Sequence, residues 1–153
     1  MNQEAAELPY WIIPAFPIFF IGLWCGVCYL AAFLSGWQRL ARHYAATVPT
    51  AGAQFLFRGG SVGWFSYRGC LHLSAAPDGL FLWLFRPFSV GYRRLFIPWH
   101  DIAAMAHKGW VVDWAVLTTA RVPGVRIRFA RKLAEGIAAA SNGTMISWWP
   151  IRE

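Results

Sequence analysis

Four histidines, three cysteines and seven acidic residues are what this 153-residue chain has to build a reactive site from. Their spacing favours neither catalysis nor metal binding. His43, His72, His100 and His107 stand in no HExxH or CxxCH pattern, and none is spaced with another His, Cys or Glu as a zinc site requires. His100 and Asp101 are adjacent, but in an extended segment successive side chains project to opposite faces, which separates the two groups that a proton relay would join. Cys25-Gly-Val-Cys28 has the spacing of a redox pair, yet it sits in an apolar run where desolvation disfavours thiolates, so both cysteines are read as small packing residues. Ser61, Ser66, Ser74 and Ser89 have no G-x-S-x-G context, and Arg58-Gly59-Gly60 lacks the Lys and the helix start of a phosphate loop. The expectation is a protein that is not an enzyme and carries no cofactor and no metal.

The basic residues are more suggestive. Lys and Arg total 14, for a net charge of +7. The stretch Arg86-Pro87-Phe88-Ser89-Val90-Gly91-Tyr92-Arg93-Arg94 interleaves three bases with aromatic rings, and Arg126, Arg128, Arg131 and Lys132 form a second cluster. Near an anionic leaflet each base held at the surface contributes on the order of 1 kcal/mol, and aromatic rings suit the headgroup layer. Arg86, Phe88, Tyr92, Arg93 and Arg94, with Trp37, Arg39 and Arg42, are therefore candidate membrane-surface or lipid-headgroup residues. The other reading of the same loop, an ordinary solvated one, stays open. Nucleic acid is not expected as a partner, because such a patch would need no membrane anchor, and no small-molecule substrate is identified.

That anchor is the stretch Trp11 to Leu34, 24 residues without Asp, Glu, Lys, Arg or His. At ~1.5 Å per residue a helix of this length crosses the ~30 Å hydrocarbon core of a bilayer. Proline at positions 9, 14 and 17 crowds its entry, so regular helix is expected to begin between Ile12 and Pro14. Tyr10 and Trp11 at one end and Trp37 at the other read as an aromatic belt. At 100° per residue, Gly22, Cys25, Gly26, Cys28 and Ala32 share one face, while Phe20, Leu23, Trp24 and Val27 lie opposite. Helices associate in lipid by close approach, so the small face, with Gly22-xxx-Gly26, predicts contact with integral membrane protein subunits and the large face predicts contact with lipid. Only Glu4 and Glu7 precede the run and every base follows it, which by the positive-inside rule places residues 1–10 outside as a short tail and the remainder in the cytoplasm. No basic region precedes the run, so a cleaved signal peptide is not expected.

Helix-compatible residues carry on through 46, giving a span of 11–46 for the transmembrane helix and its cytoplasmic extension, with Pro49 as a stop. The glycines and Pro49 of 47–60 predict a linker, and 61–153 a soluble domain. Within it, short apolar runs bounded by turn residues predict strands at Val62–Tyr67, Cys70–Ser74, Leu80–Phe85, Arg94–Pro98, Ile102–His107, Trp110–Thr118 and Val125–Phe129. Pro77-Asp78-Gly79 predicts a tight hairpin turn, Ala130–Ala140 a helix, and Ser141-Asn142-Gly143 its stop. The fold expected is one transmembrane helix followed by a small α+β domain, a strongly bent antiparallel sheet or partial barrel of six to seven strands closed by a C-terminal helix.

That order of elements resembles pleckstrin-homology (PH) and GRAM-like domains. The stretch Pro77-Asp78-Gly79-Leu80-Phe81-Leu82-Trp83-Leu84-Phe85-Arg86-Pro87, followed by Leu95-Phe96-Ile97-Pro98-Trp99-His100-Asp101-Ile102, is also similar to a group of bacterial single-pass membrane proteins with a small cytoplasmic domain of this kind. The resemblance implies a bacterial inner (cytoplasmic) membrane location and no particular reaction. Two functions are expected from these observations. The first is a non-catalytic accessory or scaffold subunit of a larger inner-membrane complex, such as a respiratory or photosynthetic assembly. The second is an anionic-lipid-binding domain at the cytoplasmic membrane surface.

Overall fold

A computed structural model of the chain describes residues 9–48 and 51–141. Residues 1–8 of the expected tail (1–10), Pro49 and the helix stop at Asn142-Gly143 lie outside the described residues. Helix α1, Ile12–Leu34, opens where the prolines predict. With a mean hydropathy of 2.1 and 11% of its apolar window buried, it is long and apolar enough to cross a membrane. It ends at Leu34, and the chain then turns at Gly36, whose φ of +80° is a left-handed conformation that few other residues adopt. Helix α2, Trp37–Tyr44, follows that turn, so the segment predicted as a straight extension is a second helix.

Seven antiparallel strands come next in one sheet: β1 Ala53–Val62, β2 Phe65–Ala75, β3 Gly79–Leu84, β4 Leu95–Pro98, β5 Ile102–His107, β6 Trp114–Thr119 and β7 Ile127–Ala130. The spatial order is β4-β3-β2-β1-β7-β6-β5, and helix α3, Arg131–Ala140, follows β7. Side chains alternate across each strand. Leu71, Leu73, Leu80, Leu82, Leu95, Ile97, Leu117, Ile127 and Phe129 therefore all point into one core, completed by Leu133, Ala134 and Ile137 of α3.

The sheet is nearly closed. Its two edge strands, β4 and β5, are consecutive in the chain and are joined by the short 3-10 turn Trp99–Asp101. Helix α2 packs beside this seam. Its apolar stripe, Trp37, Leu40, Ala41 and Tyr44, follows i, i+3, i+4, i+7 spacing and is buried in the core. Beyond it, Ala45 bridges Leu95 and the Ala46 amide donates to the Arg94 carbonyl. The Tyr44 hydroxyl donates to Asp101 at 3.0 Å and accepts from the Arg121 amide at 3.2 Å, tying the two sides of the seam together.

Several strand boundaries shift by one or two residues, and larger differences from the sequence reading fall at β1, at the start of the domain and at β6. Most of the predicted linker is β1, and the strand predicted at Val62–Tyr67 is the β1–β2 reversal, where Gly63 has a φ of +58°. Glycine misled here because Gly60 does not mark a break. It lets β7 come close, since a Cβ there would stand 2.8 Å from the Phe129 ring. The domain starts at Trp37, not near residue 61, because α2 supplies part of its core. Strand β6 starts at Trp114, leaving the predicted strand residues Trp110–Val112 as an exposed loop.

Candidate functional site

The sequence-predicted residues divide between two places. Around the first, the Arg86–Arg94 segment is docked on the helices instead of hanging free. The Trp24 indole N–H donates to the Pro87 carbonyl at 3.0 Å, and its ring lies 5.3 Å from that of Phe88. Gly91, at φ +79°, passes so near Tyr29 that a Cβ would stand 2.9 Å from its ring. Deeper in, the Trp37 indole donates to the Arg93 carbonyl at 2.8 Å and meets the Tyr67 and Tyr92 rings edge-on at 6.2 and 5.2 Å. The two tyrosine hydroxyls are 3.0 Å apart, and burial raises both phenol pKa values, so they form a neutral pair.

These contacts revise several expected roles. Trp37 is no membrane-surface residue, being fully buried in the domain core, and Tyr92 is engaged with it. Trp24, assigned to lipid, holds the domain loop. Cys28 and Ala32, assigned to a protein partner, are buried within the chain. Gly22 and Gly26 have nothing within 4 Å of their Cβ positions, and Cys25 is half-buried. Arg39, Arg42, Arg86, Phe88, Arg93 and Arg94 are exposed, as a membrane-facing role requires.

The second place is a trough of about 1270 Å³ on the outward face of β1, β2, β6 and β7. Strand alternation builds it. With Gly60, Val62, Ile127 and Phe129 turned to the core, Gly59 and Ser61 of β1 and Arg128 of β7 face out. The register pairs Ser61 with Ser66 on one side and with Arg128 on the other, and Arg128 in turn with Val116. The floor is thus small and polar. Arg58, Arg68, Arg126, Arg128 and Lys132 line it together with Trp64, Trp114 and Phe55, and among the described residues no Asp or Glu does.

Among the described residues, none of these five bases makes an ion pair; Arg121 and Arg131 do, with Asp101, Asp113 and Glu135. Such a set is a strong anion attractor, because guanidinium groups bind phosphate oxygens in bidentate fashion and no local carboxylate competes. The trough also has a defined position. Its Gly63 backbone packs against the Ser35 carbonyl at the end of α1, so one mouth opens where the apolar helix ends. Trp64, 95% exposed, stands at that mouth. Sequence reasoning found Arg126, Arg128 and Lys132. It missed Arg58 and Arg68, which lay in or beside segments read as linker and turn, and it grouped Arg131 with them although that side chain pairs with Asp113 and Glu135.

His100 and Asp101 approach to 3.4 Å, against the expectation for an extended segment, because both occupy a 3-10 turn. His100 is 76% exposed, so the contact is a weak surface pair beside the seam-closing Tyr44–Asp101 bond. No protein-family description and no curated protein matches the chain, so the chemistry rests on these two places alone.

Proposed function

We propose that the chain is a membrane-anchored, non-catalytic binding protein that holds anionic phospholipid headgroups in the trough on the cytoplasmic face of a bacterial inner membrane, with a domain of PH-like type. The carrying observation is the trough itself, five bases with no carboxylate beside them among the described residues, opening beside the end of the apolar helix. Anchoring keeps the site close to the phosphate layer, and closeness matters because salt screens such an attraction over a Debye length of roughly 10 Å. Rigid attachment through α2 and the Trp24–Pro87 contact fixes the orientation of that site relative to the helix.

Titration of the full chain, in nanodiscs of zwitterionic lipid, with dihexanoyl-phosphatidylglycerol tests this reading by NMR of the arginine side chains. Shifts are expected at Arg58, Arg68, Arg126 and Arg128, with Arg121 and Arg131 unmoved. Equal shifts at all arginines, or none, would refute it, and a parallel titration with inorganic phosphate separates lipid recognition from general anion attraction.

A second reading has its own observation. Gly22 and Gly26 are open while the rest of the small face is occupied, which favours a further helix packing there and an accessory role in a larger membrane assembly.

A further inference from the structure

The position of the Arg86–Tyr92 loop along α1 conflicts with a domain lying wholly outside the bilayer. Helix α1 has 23 residues, about 34 Å at ~1.5 Å each, close to the ~30 Å hydrocarbon core. A domain wholly in water would touch this helix only near Leu34. Instead the loop is bonded to Trp24, ten residues earlier and about 15 Å back along the axis. The segment Ile12–Leu23 that precedes this bond is only about 18 Å long, too short to span the core alone.

The loop's surface suits such a place. Phe88, Val90 and the neighbouring Phe85 are exposed, and Phe57 rests on Phe85 with ring centroids 5.4 Å apart. Phe57 is held there in an uncommon backbone conformation, φ 53°, at a bulge between Phe55 and Arg58 in β1. These side chains extend the exposed apolar surface of α1 across the Trp24–Phe88 contact. The one charged residue of the loop, Arg86, has a long stem that can carry its guanidinium back to the phosphate layer.

We infer that the Arg86–Tyr92 loop, with Phe57 and Phe85 beside it, is immersed in the domain-side leaflet, Phe88 and Val90 against acyl chains and Arg86 drawn toward the lipid phosphates. The inference rests on the reading that α1 crosses a bilayer. It adds that the domain is sunk into one leaflet beside its own anchor, so that lipid is displaced on the loop side of the helix.

Site-directed spin labelling of the full chain in nanodiscs tests it, with Cys25, Cys28 and Cys70 replaced by Ala and single labels at positions 27, 78, 88 and 90. Labels at 88 and 90 should match the one at 27, protected from water-soluble nickel chelate and reached by oxygen, with an oxygen-to-nickel accessibility ratio several-fold above that at 78. If 88 and 90 behave like 78 while 27 stays protected, the immersion is overturned and the anchor stands. If 27 is itself open to nickel, the spanning reading falls and the immersion with it. Should the cysteine replacements disturb the fold, a benzophenone side chain at position 88 in the otherwise native chain gives the same decision: a phospholipid adduct supports immersion, and none, where the same group at 27 yields one, overturns it.

Discussion

His72 is a buried histidine whose neutral form the fold favours. It sits among the rings of Phe57, Trp83 and Phe85, at 4.8, 5.7 and 6.0 Å, and its Nε2 has no hydrogen-bond partner. Burial lowers its pKa below the ordinary 6.5, because the imidazolium would lose hydration without gaining a counter-charge. The folded state therefore favours the neutral ring. Above the ordinary value both states are neutral and the residue exerts no pH-dependent effect; as pH falls through it, the unfolded chain takes up a proton that the folded chain refuses, and stability declines. Thermal unfolding should show a larger loss between pH 7.5 and pH 5.5 for the native chain than for His72→Leu, whereas equal losses would assign the pH response to other groups. The sequence displays His72 as an unpaired histidine between apolar residues, but its ring neighbours come from β1, from β3 and from Phe85 just beyond β3. They depend on a bulge that composition does not reveal.

At the scale of elements, the apolar helix and the succession of strands β2 to β7 along the chain were readable: an uninterrupted uncharged run marks α1, and short apolar runs bounded by turn residues mark the strands. Helix α2 was equally readable in principle, because Trp37, Leu40, Ala41 and Tyr44 mark a core-facing stripe. The sequence reading instead continues the first helix through it as a cytoplasmic extension, because its residues are all helix-compatible. Strand β1 was lost for another reason: glycines that admit close packing look, in sequence, like glycines that break a strand.

The face assignment of α1 was half legible. Small residues do mark contact, but for Cys28 and Ala32 the contact is with the chain's own domain. Gly22 and Gly26 remain for an external helix. A change of Gly26 to Leu should shift the protein to a smaller species in mild-detergent sizing of native membranes, with Val27→Leu unchanged. If Gly26→Leu leaves the assembly intact, the open face does not bind protein.

At the scale of the whole molecule, anchor, α2 and sheet form one continuous body. Gly36 stands against Val125, Gly63 against Ser35, and Trp37 ties the helix turn to the Arg93 backbone. The sheet packs directly against the helix end, next to the trough. The net charge of +7 acquires a location in the same way: much of it converges on one face, where strand register brings Arg58 and Arg68 beside Arg126 and Arg128. That convergence is a property of the fold. In sequence the four arginines are spread over some 70 positions.

The central claim, headgroup capture in the trough, is tested most directly by native mass spectrometry of the full chain released from nanodiscs of mixed phosphatidylcholine and phosphatidylglycerol. The account predicts that the native chain retains one or more phosphatidylglycerol molecules out of proportion to their share of the bilayer, and that the double variant R126Q/R128Q retains them about tenfold less, a difference of ~1.4 kcal/mol. Retention of phosphatidylglycerol by the variant at the native level, or no enrichment by the native chain, would contradict it.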